Sequence, residues 1–380
     1  MLAARPPLGW NSWNTFGADV NETVVLEAAE ALVRTGLRES GYLYVVIDDV
    51  WQADTRTTGG ELQADPDKFP RGIGPLAQDI HAMGLQFGIY TCAGTHTCAD
   101  RVASYGHEWE DARTFAGWGV DFLKVDFCNV PPGVDGPMLY HRMGQALRES
   151  GREIVFSACE WGIQQPWKWG RAAGCHLWRT TGDIGDGWES ILRIGFRNVA
   201  DWAAYGGPNG WNDLDMLVVG IRGGGNVGQD HCTDAEYRVH FAQWCLQASP
   251  LMIGCDLRQA TAGDIALLGH AGLLEINQDP LGVSARRIAP AEDLWDWADL
   301  PVYRKPMADG SLAIGIFNLT ERDRKFLSVA WETLGLRPDQ PYRVTDVIAG
   351  QPLGTHRGSI AVPVAAHDVA VLRLFPVAGP

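Results

Sequence analysis

The chain has no apolar run approaching the ~20 residues that span a bilayer, and its N-terminal MLAARPPLGWNSW lacks an apolar stretch of signal-peptide length. These absences argue against a membrane-spanning helix and leave two expectations for location, cytoplasmic, or secreted with the leader absent from this chain. The eight cysteines include no zinc-type CxxC pair, which argues against a structural metal. No histidine cluster stands out either, so a metal-dependent hydrolase is a weak reading, and no cofactor motif is present. The glycine run at 220–228 lacks the strand–turn–helix spacing of a phosphate-binding fingerprint and reads as a flexible rim loop. Positive charge is scarce, 31 Lys and Arg against 46 Asp and Glu, for a net charge of −15. That balance argues against nucleic acid or anionic membranes as partners and is compatible with a neutral substrate.

What is present describes a folded enzyme-sized chain. Its 380 residues exceed the usual size of one core, so a large domain with a smaller one is expected. Apolar runs alternate with helical patterns through the first part: LGWNSW (8–13), YLYVVIDD (42–49), LQFGIYTC (85–92), VDFLKVDFC (120–128), EIVFSACE (153–160), HLWRTTGD (176–183), WNDLDML (211–217) and LMIGCD (251–256). Amphipathic stretches at 22–38, 108–118, 138–149, 187–205 and 235–246 lie between them. The alternation predicts a (β/α)8 barrel over 1–282, with a doubly wound sheet as its rival. Beyond INQDPLG the texture changes to short β-prone runs (LWDWA, LAIGIFNLT, KFLSVAW, YRVTDVI, SIAVPV, VAVLRLF), which predict a C-terminal antiparallel β-sandwich over 283–380. The 16 tryptophans offer flat apolar faces that suit sugar rings, although core packing accounts for most of them.

Function in a barrel sits at the carboxyl ends of its strands, and polar residues cluster there: Asp48 and Asp49, Lys124 and Asp126, Cys159 and Glu160, Arg179 and Asp183, Asp213 and Asp215. Buried carboxylates are costly unless paired or functional, so the pattern predicts a polar pocket. Residues two apart in a strand share a face, which puts Lys124 and Asp126 of LKVDFCNV side by side. A neighbouring cation favours the ionised carboxylate that a nucleophile must be. The same segment also reads as an ordinary strand with a structural ion pair. Retaining glycoside hydrolysis needs two carboxyl groups. Asp126 suits the nucleophile, and Asp183, four residues after Arg179, suits the acid/base, but spacing alone does not choose this pair among the barrel's carboxylates.

LGWNSWNTF, VIDDVW, GELQADPDKFPRGI, GIYTCAGTHTCA, WGVDFLKVDFCN, FSACEWG, LWRTTGDI, GWNDLDMLVVG and INQDPLG occur in this order. Together they resemble glycoside hydrolase family 27, the retaining α-galactosidases and α-N-acetylgalactosaminidases, and the sandwich-like tail fits that architecture. The resemblance implies Asp126 as nucleophile, Asp183 as acid/base, and Arg179 near the sugar's O2. It also implies Asp48 and Asp49 at the axial O4 and the O6, and Lys124 at O3 and O4. Trp13 and Tyr90 are implied as pocket wall and floor, and Asp215 as a further pocket carboxylate beside Met216. The segment Cys159-Glu160-Trp161 is implied at the O2 side, where Glu160 and Ile163 are expected to fill the space an acetamido group needs. This favours an exo-α-galactosidase acting on galactosides or related glycosides. Disulfides Cys98–Cys128 and Cys159–Cys175 are implied by the same resemblance, and a homo-oligomer is a further expectation.

The chain departs from the family pattern at Val50, where many relatives have Cys, and at Cys92, where many have Asp close to the site rim. Alternatives remain open within the family, an α-N-acetylgalactosaminidase or a β-L-arabinopyranosidase, whose sugar is galactose without the C6 hydroxymethyl. Outside it stands a galactose-binding protein without turnover, which would not need both Asp126 and Asp183.

Overall fold

In the computed structural model, which describes residues 1–228, 230–288 and 299–377, all eight expected inner strands form. They are β1 (Leu8–Asn11), β2 (Tyr44–Val46), β3 (Gln86–Cys92), β4 (Phe122–Asp126), β5 (Val155–Cys159), β6 (Leu177–Arg179), β7 (Trp211–Asp213) and β8 (Leu251–Ile253). They pair in parallel in the order β7-β6-β5-β4-β3-β2-β1-β8. A doubly wound sheet reverses its strand order at a switch point; this one runs round without reversal. Its two ends meet at a parallel bridge between Leu217 and Ile253, where the Leu217 N–H donates to Met252 O at 2.7 Å and the Gly254 N–H to Leu217 O at 3.0 Å.

Period-two alternation fills this barrel in layers. Val46, Phe122, Val155, Leu177 and Trp211 form an apolar plug with Met216 and Met252. One step further along β4, β5, β6 and β7 come Lys124, Ser157, Arg179 and Asp213, which line a small chamber above that plug. The plug is packed tightly enough that Gly9 on β1 has no room for a side chain: a Cβ there would sit 2.7 Å from Tyr44 Cβ and against the Tyr44 carbonyl oxygen. Among the described residues seven tryptophans (Trp10, Trp51, Trp178, Trp202, Trp211, Trp244 and Trp331) are fully buried, which gives them a packing role.

The surrounding helices start where the sequence caps them. Asn21 accepts the Val24 N–H at the head of Glu22–Arg34, and Asp135 accepts that of Met138 at the head of Gly136–Glu149. The expected helix at 187–205 is instead split into Trp188–Gly195, Val199–Trp202 and a 3-10 turn at Ala203–Tyr205, with the break at Asn198, whose φ of 59° is left-handed. Asp234–Leu246 begins with a Thr233/Glu236 capping box and is buried on nearly every side because it lies between the barrel and the second domain. On one side Trp244 donates its indole N–H to Asp215 O at 2.8 Å. On the other, Arg238 makes a two-pronged ion pair with Asp368 at 2.7 and 2.9 Å.

The second domain is antiparallel throughout. Strands β9 (Arg286–Ile288), β10 (Val302–Pro306), β11 (Leu312–Asn318), β13 (Tyr342–Asp346), β14 (Gln351–His356) and β16 (Asp368–Pro376) form a sheet in the order β14-β13-β16-β11-β10-β9. Strands β12 (Arg324–Ala330) and β15 (Ser359–Val364) pair separately, and side chains from both layers share a core that includes Ile314, Val329, Trp331, Ile360 and Leu372. Of the runs expected to be strands here, LWDWA lies outside the described residues. Among the described residues no helix is long and apolar enough to cross a membrane.

Replacing Gly9 by Ala forces β1 away from β2 and is expected to destabilise the protein by about 1–3 kcal/mol. Gly74→Ala serves as the contrast. It lies within the helix Ile73–Ala82, its added methyl meets Trp118 at an ordinary 3.8 Å, and a neutral or slightly stabilising effect of up to about 1 kcal/mol is expected. Thermal unfolding of the two variants beside the parent protein checks both signs.

Candidate active site

The chamber opens upward into a pocket of about 450 Å³ at the carboxyl ends of the strands. One half is organised around Lys124. Its Nζ donates to Asp48 Oδ2 at 2.8 Å, and the same oxygen accepts the Asn11 side-chain amide at 2.7 Å. The expected side-by-side placement of Lys124 and Asp126 holds, since both line the pocket, but the ion pair of Lys124 is with Asp48, just beyond β2. Burial opposes the ammonium, but the acidic groups around it, Asp48 foremost with Cys159 and Asp126, together more than offset that, so Lys124 stays protonated. The Nζ also lies 5.3 Å from the centre of the Tyr90 ring. Asp48 Oδ1 accepts the Asp49 N–H at 2.9 Å. Asp49 in turn is held by the N–H groups of Val50 at 2.7 Å and Ala99 at 2.9 Å. Those bonds stabilise a left-handed Val50, φ 65°, a costly conformation for a β-branched residue.

The other half centres on Arg179, which is 4% exposed. Its Nη2 lies 3.0 Å from Asp183 Oδ1, 3.0 Å from Asp215 Oδ2 and 3.0 Å from Thr181 O. Asp215 Oδ2 also accepts the Ile184 N–H at 2.7 Å, and the Asp215 N–H donates to Asp213 Oδ1 at 2.9 Å. These contacts hold Asp215 at φ 75°, another left-handed non-glycine residue. Burial pushes the Asp213 carboxyl up to about 6 against the pull of Arg179, and it raises Asp215 in the same way. Asp126 accepts the Phe127 N–H at 3.0 Å. Burial pushes its carboxyl up to about 6, only partly opposed by Lys124 and reinforced by Asp48 and Asp183. The cation at i−2 therefore limits the upward shift without reversing it. The Asp183 side chain is 73% exposed, at the open side of the pocket.

Trp13, Asp48, Asp49, Tyr90, Lys124, Asp126, Trp161, Arg179, Asp183, Asp215 and Met216 all line this pocket, while Cys159 and Glu160 do not. Cys159 sits lower, in the chamber, where its sulfur is 3.6 Å from Arg179 Nη1. Glu160 is fully buried and accepts the Gln164 N–H at 2.7 Å, and Ile163 is 67% exposed. The expectation that Glu160 and Ile163 fill the O2 side is thus corrected: Trp161, at φ 59°, forms the pocket wall after β5. The period-two alternation that puts Val155, Ser157 and Cys159 inside the barrel thus carries on to Trp161 and leaves Glu160 facing away.

Cys98 and Cys128 are joined in a disulfide, and Cys98 borders the pocket. Cys159 and Cys175 are both free, which corrects the second expected bridge. The register Ser157↔Leu177 sets Cys175 level with the start of β5, about 13 Å along the strand direction from Cys159. Such a span is out of reach of one disulfide. Cys92 is buried off the pocket, its thiol 3.1 Å from Cys128 O. Burial pushes that thiol up to about 12, so it is a packed, unreactive group.

Asn14, Ile184 and Gly185 line the pocket and were not anticipated, and neither were the individual residues Asn226, Val227 and Gly228 of the expected rim loop. The last three come from the glycine run, which is tied down: the Asn226 N–H donates to Asn14 O at 2.7 Å. No motif marks them; their only signal was the density of glycines. Among the described residues one grouping has the closeness a metal ion needs, Cys98, Asp126 and Cys128. Its two sulfurs are bonded to each other and offer no thiolate.

Comparison with known proteins adds to this geometry. A family model described as alpha galactosidase A matches residues 5–279, and one described as the alpha galactosidase C-terminal beta sandwich domain matches residues 297–374. The chain is 40% identical over 376 residues to an alpha-galactosidase of Cyamopsis tetragonoloba, covering 99% of this chain and 87% of that one. Its fold matches alpha-galactosidase I from Mortierella vinacea with a TM-score of 0.90 at 32% identity, covering 98% and 97% of the two chains. It matches the alpha-galactosidase of Saccharomyces cerevisiae with raffinose at 0.86 and 27%, covering 99% and 98%. A family 27 β-L-arabinopyranosidase of Geobacillus stearothermophilus gives 0.86 and 25%, covering 100% and 98%.

The raised Asp126 carboxyl carries a stability prediction. Between pH 3.8 and about 6 the folded state holds a proton that the unfolded state has lost, so stability from this group falls as pH rises through that window. Asp126→Asn removes the penalty and is expected to stabilise the protein by up to about 3 kcal/mol at pH 7. The gain should shrink toward zero as pH approaches 4. Melting temperatures of both proteins across pH 4–8 check the sign.

Proposed function

The chain belongs to the α-galactosidase family, glycoside hydrolase family 27, and from that premise we propose that it is a retaining exo-α-galactosidase whose nucleophile is Asp126 and whose acid/base is Asp183. One observation carries this reading. Asp126, from the end of β4, and Asp183, from the segment after β6, line a single pocket floored by Lys124, Asp48 and Tyr90. Asp126 attacks the anomeric carbon while Asp183 gives its proton to the departing glycosidic oxygen. Asp183 then takes a proton from water, which attacks the galactosyl–Asp126 ester and releases α-galactose. The transition state carries positive charge at the sugar ring, and a pocket in which carboxylates outnumber cations favours it.

Selectivity follows from the same side chains. Asp48 and Asp49 are fixed by Lys124, Asn11 and backbone N–H groups before any sugar arrives. A site built to bond a particular hydroxyl rejects an analogue that lacks it. The pair therefore favours galactose, with its axial O4 and its O6, over L-arabinopyranose. The bulk of Trp161 after β5, next to the strand that carries Arg179, leaves little space for a 2-acetamido group. Substrates are accordingly glycosides with a terminal α-galactosyl unit, raffinose among them.

Hydrolysis of nitrophenyl α-D-galactoside followed by proton NMR should release α-galactose before mutarotation, with slower turnover of the α-N-acetylgalactosaminide and β-L-arabinopyranoside. First appearance of β-galactose would overturn the double displacement, and faster cleavage of the arabinoside would overturn the O6 argument. Because Asp126 must be ionised to attack, kcat/KM is expected to fall as pH drops below about 6. Asp126→Ala should lose turnover while keeping its fold, checked by circular dichroism.

A further inference from the structure

Three residues beyond Asp183 lies Asp186, a carboxylate that the reaction above does not use. It is 2% exposed. It accepts the backbone N–H groups of Gly223 at 2.8 Å and Cys232 at 3.3 Å, and the Tyr237 hydroxyl at 2.9 and 3.0 Å to its two oxygens. Its own N–H donates to Val227 O at 3.3 Å. The Tyr237 hydroxyl also accepts the Arg222 N–H at 2.8 Å. These bonds reach both ends and the middle of the loop 222–232.

A buried carboxylate is tolerated when several donors satisfy it, and hydrogen bonds to a charged acceptor are the stronger kind. Asp186 thus adds to the few apolar anchors of this glycine-rich loop, Val227 and Cys232. The loop's far side is fitted closely to the site. A Cβ on Gly225 would lie 2.8 Å from Thr15 Cα, and one on Gly185 would lie 3.0 Å from Val227 O. Asn226, Val227 and Gly228 are consequently pocket wall next to Asp183, Ile184 and Gly185.

A general acid must lie within hydrogen-bond reach of the oxygen it protonates. Whatever is attached beyond that oxygen then rests on the wall adjoining Asp183, which is also where the pocket opens. We propose that Asp186 is a positioning residue for the leaving group: it fixes loop 222–232 against the Asp183 segment, so that Asn226, Val227 and Gly228 form the subsite for a hydroxyl-rich, sugar-type aglycone. The subsite offers an amide side chain and exposed backbone, which suit sugar hydroxyls better than an aryl ring. The inference rests on Asp183 being the acid/base.

The test compares raffinose with α-galactosyl fluoride, whose leaving group needs neither a subsite nor protonation. In Asp186→Asn, kcat/KM on raffinose should fall at least about ten-fold further than on the fluoride, in line with the cost of misplacing reacting groups by a fraction of an ångström to an ångström. Tyr237→Phe, which removes one donor and disturbs the fold less, should shift the same ratio in the same direction by a smaller factor. Equal losses on both substrates in both variants would reduce Asp186 to general structural support and overturn the inference. Asp183→Ala is run alongside and should spare the fluoride far more than raffinose. If it does not, the acid/base assignment fails and this inference falls with it; if it does while Asp186→Asn shows equal losses, only this inference fails.

Discussion

The interaction on which the site depends is the burial of two cations, Lys124 and Arg179, among carboxylates at the wide end of a closed barrel. Asp48, Asp126, Asp213 and Asp215 are each less than a tenth exposed, and charges so placed are stable only when paired or well bonded. Lys124 joins β4 to the segment after β2 through Asp48, and Arg179 joins β6 to the segment after β7 through Asp215. Carboxylates still exceed cations. Burial, reinforced by that surplus, keeps the Asp126 and Asp213 carboxyls raised to about 6, and the surplus supplies a fixed negative field for a cationic sugar transition state. The strain of assembling like charges is therefore one with the chemistry they serve.

Backbone geometry carries part of that cost. Val50, Trp161 and Asp215 all adopt left-handed φ just beyond strand ends, where non-glycine residues are uncommon. Each turn redirects a side chain or a backbone N–H at the pocket rim. Each is also held by hydrogen bonding or packing nearby: the Asp49 carboxylate on the Val50 N–H, the Asp213 carboxylate on the Asp215 N–H, and close approach of Gly162 to the Thr180 carbonyl beside Trp161. Such over-determination is how a protein keeps strained conformations at a functional site.

The second domain acts through the helix Asp234–Leu246. That helix carries Tyr237, whose hydroxyl reaches Asp186, and Trp244, whose indole N–H holds the Asp215 carbonyl. Its opposite face is bonded to the sandwich through Arg238 and Asp368. The sandwich thus backs the element that supports two parts of the pocket, and this covering role accounts for a helix that is buried nearly all round.

By itself the sequence determined the local periods and what they imply. Alternation in LKVDFCNV put Lys124 and Asp126 on one face, the eight apolar runs predicted the barrel strands, and the ordered motifs resembling one family pointed to Asp126 and Asp183. Tertiary structure alone decided how residues distant in the chain meet. It gave Lys124 to Asp48, 76 positions away, set Cys175 out of register with Cys159, and brought Asn226 to the same pocket as Asp183. It also showed that Trp161, and not Glu160, reaches the pocket beyond β5. The physical reason is common to all of these. A strand's period-two rule fixes only which face a side chain takes; the partner it meets there is supplied by other strands and loops, whose register and approach the local pattern does not contain.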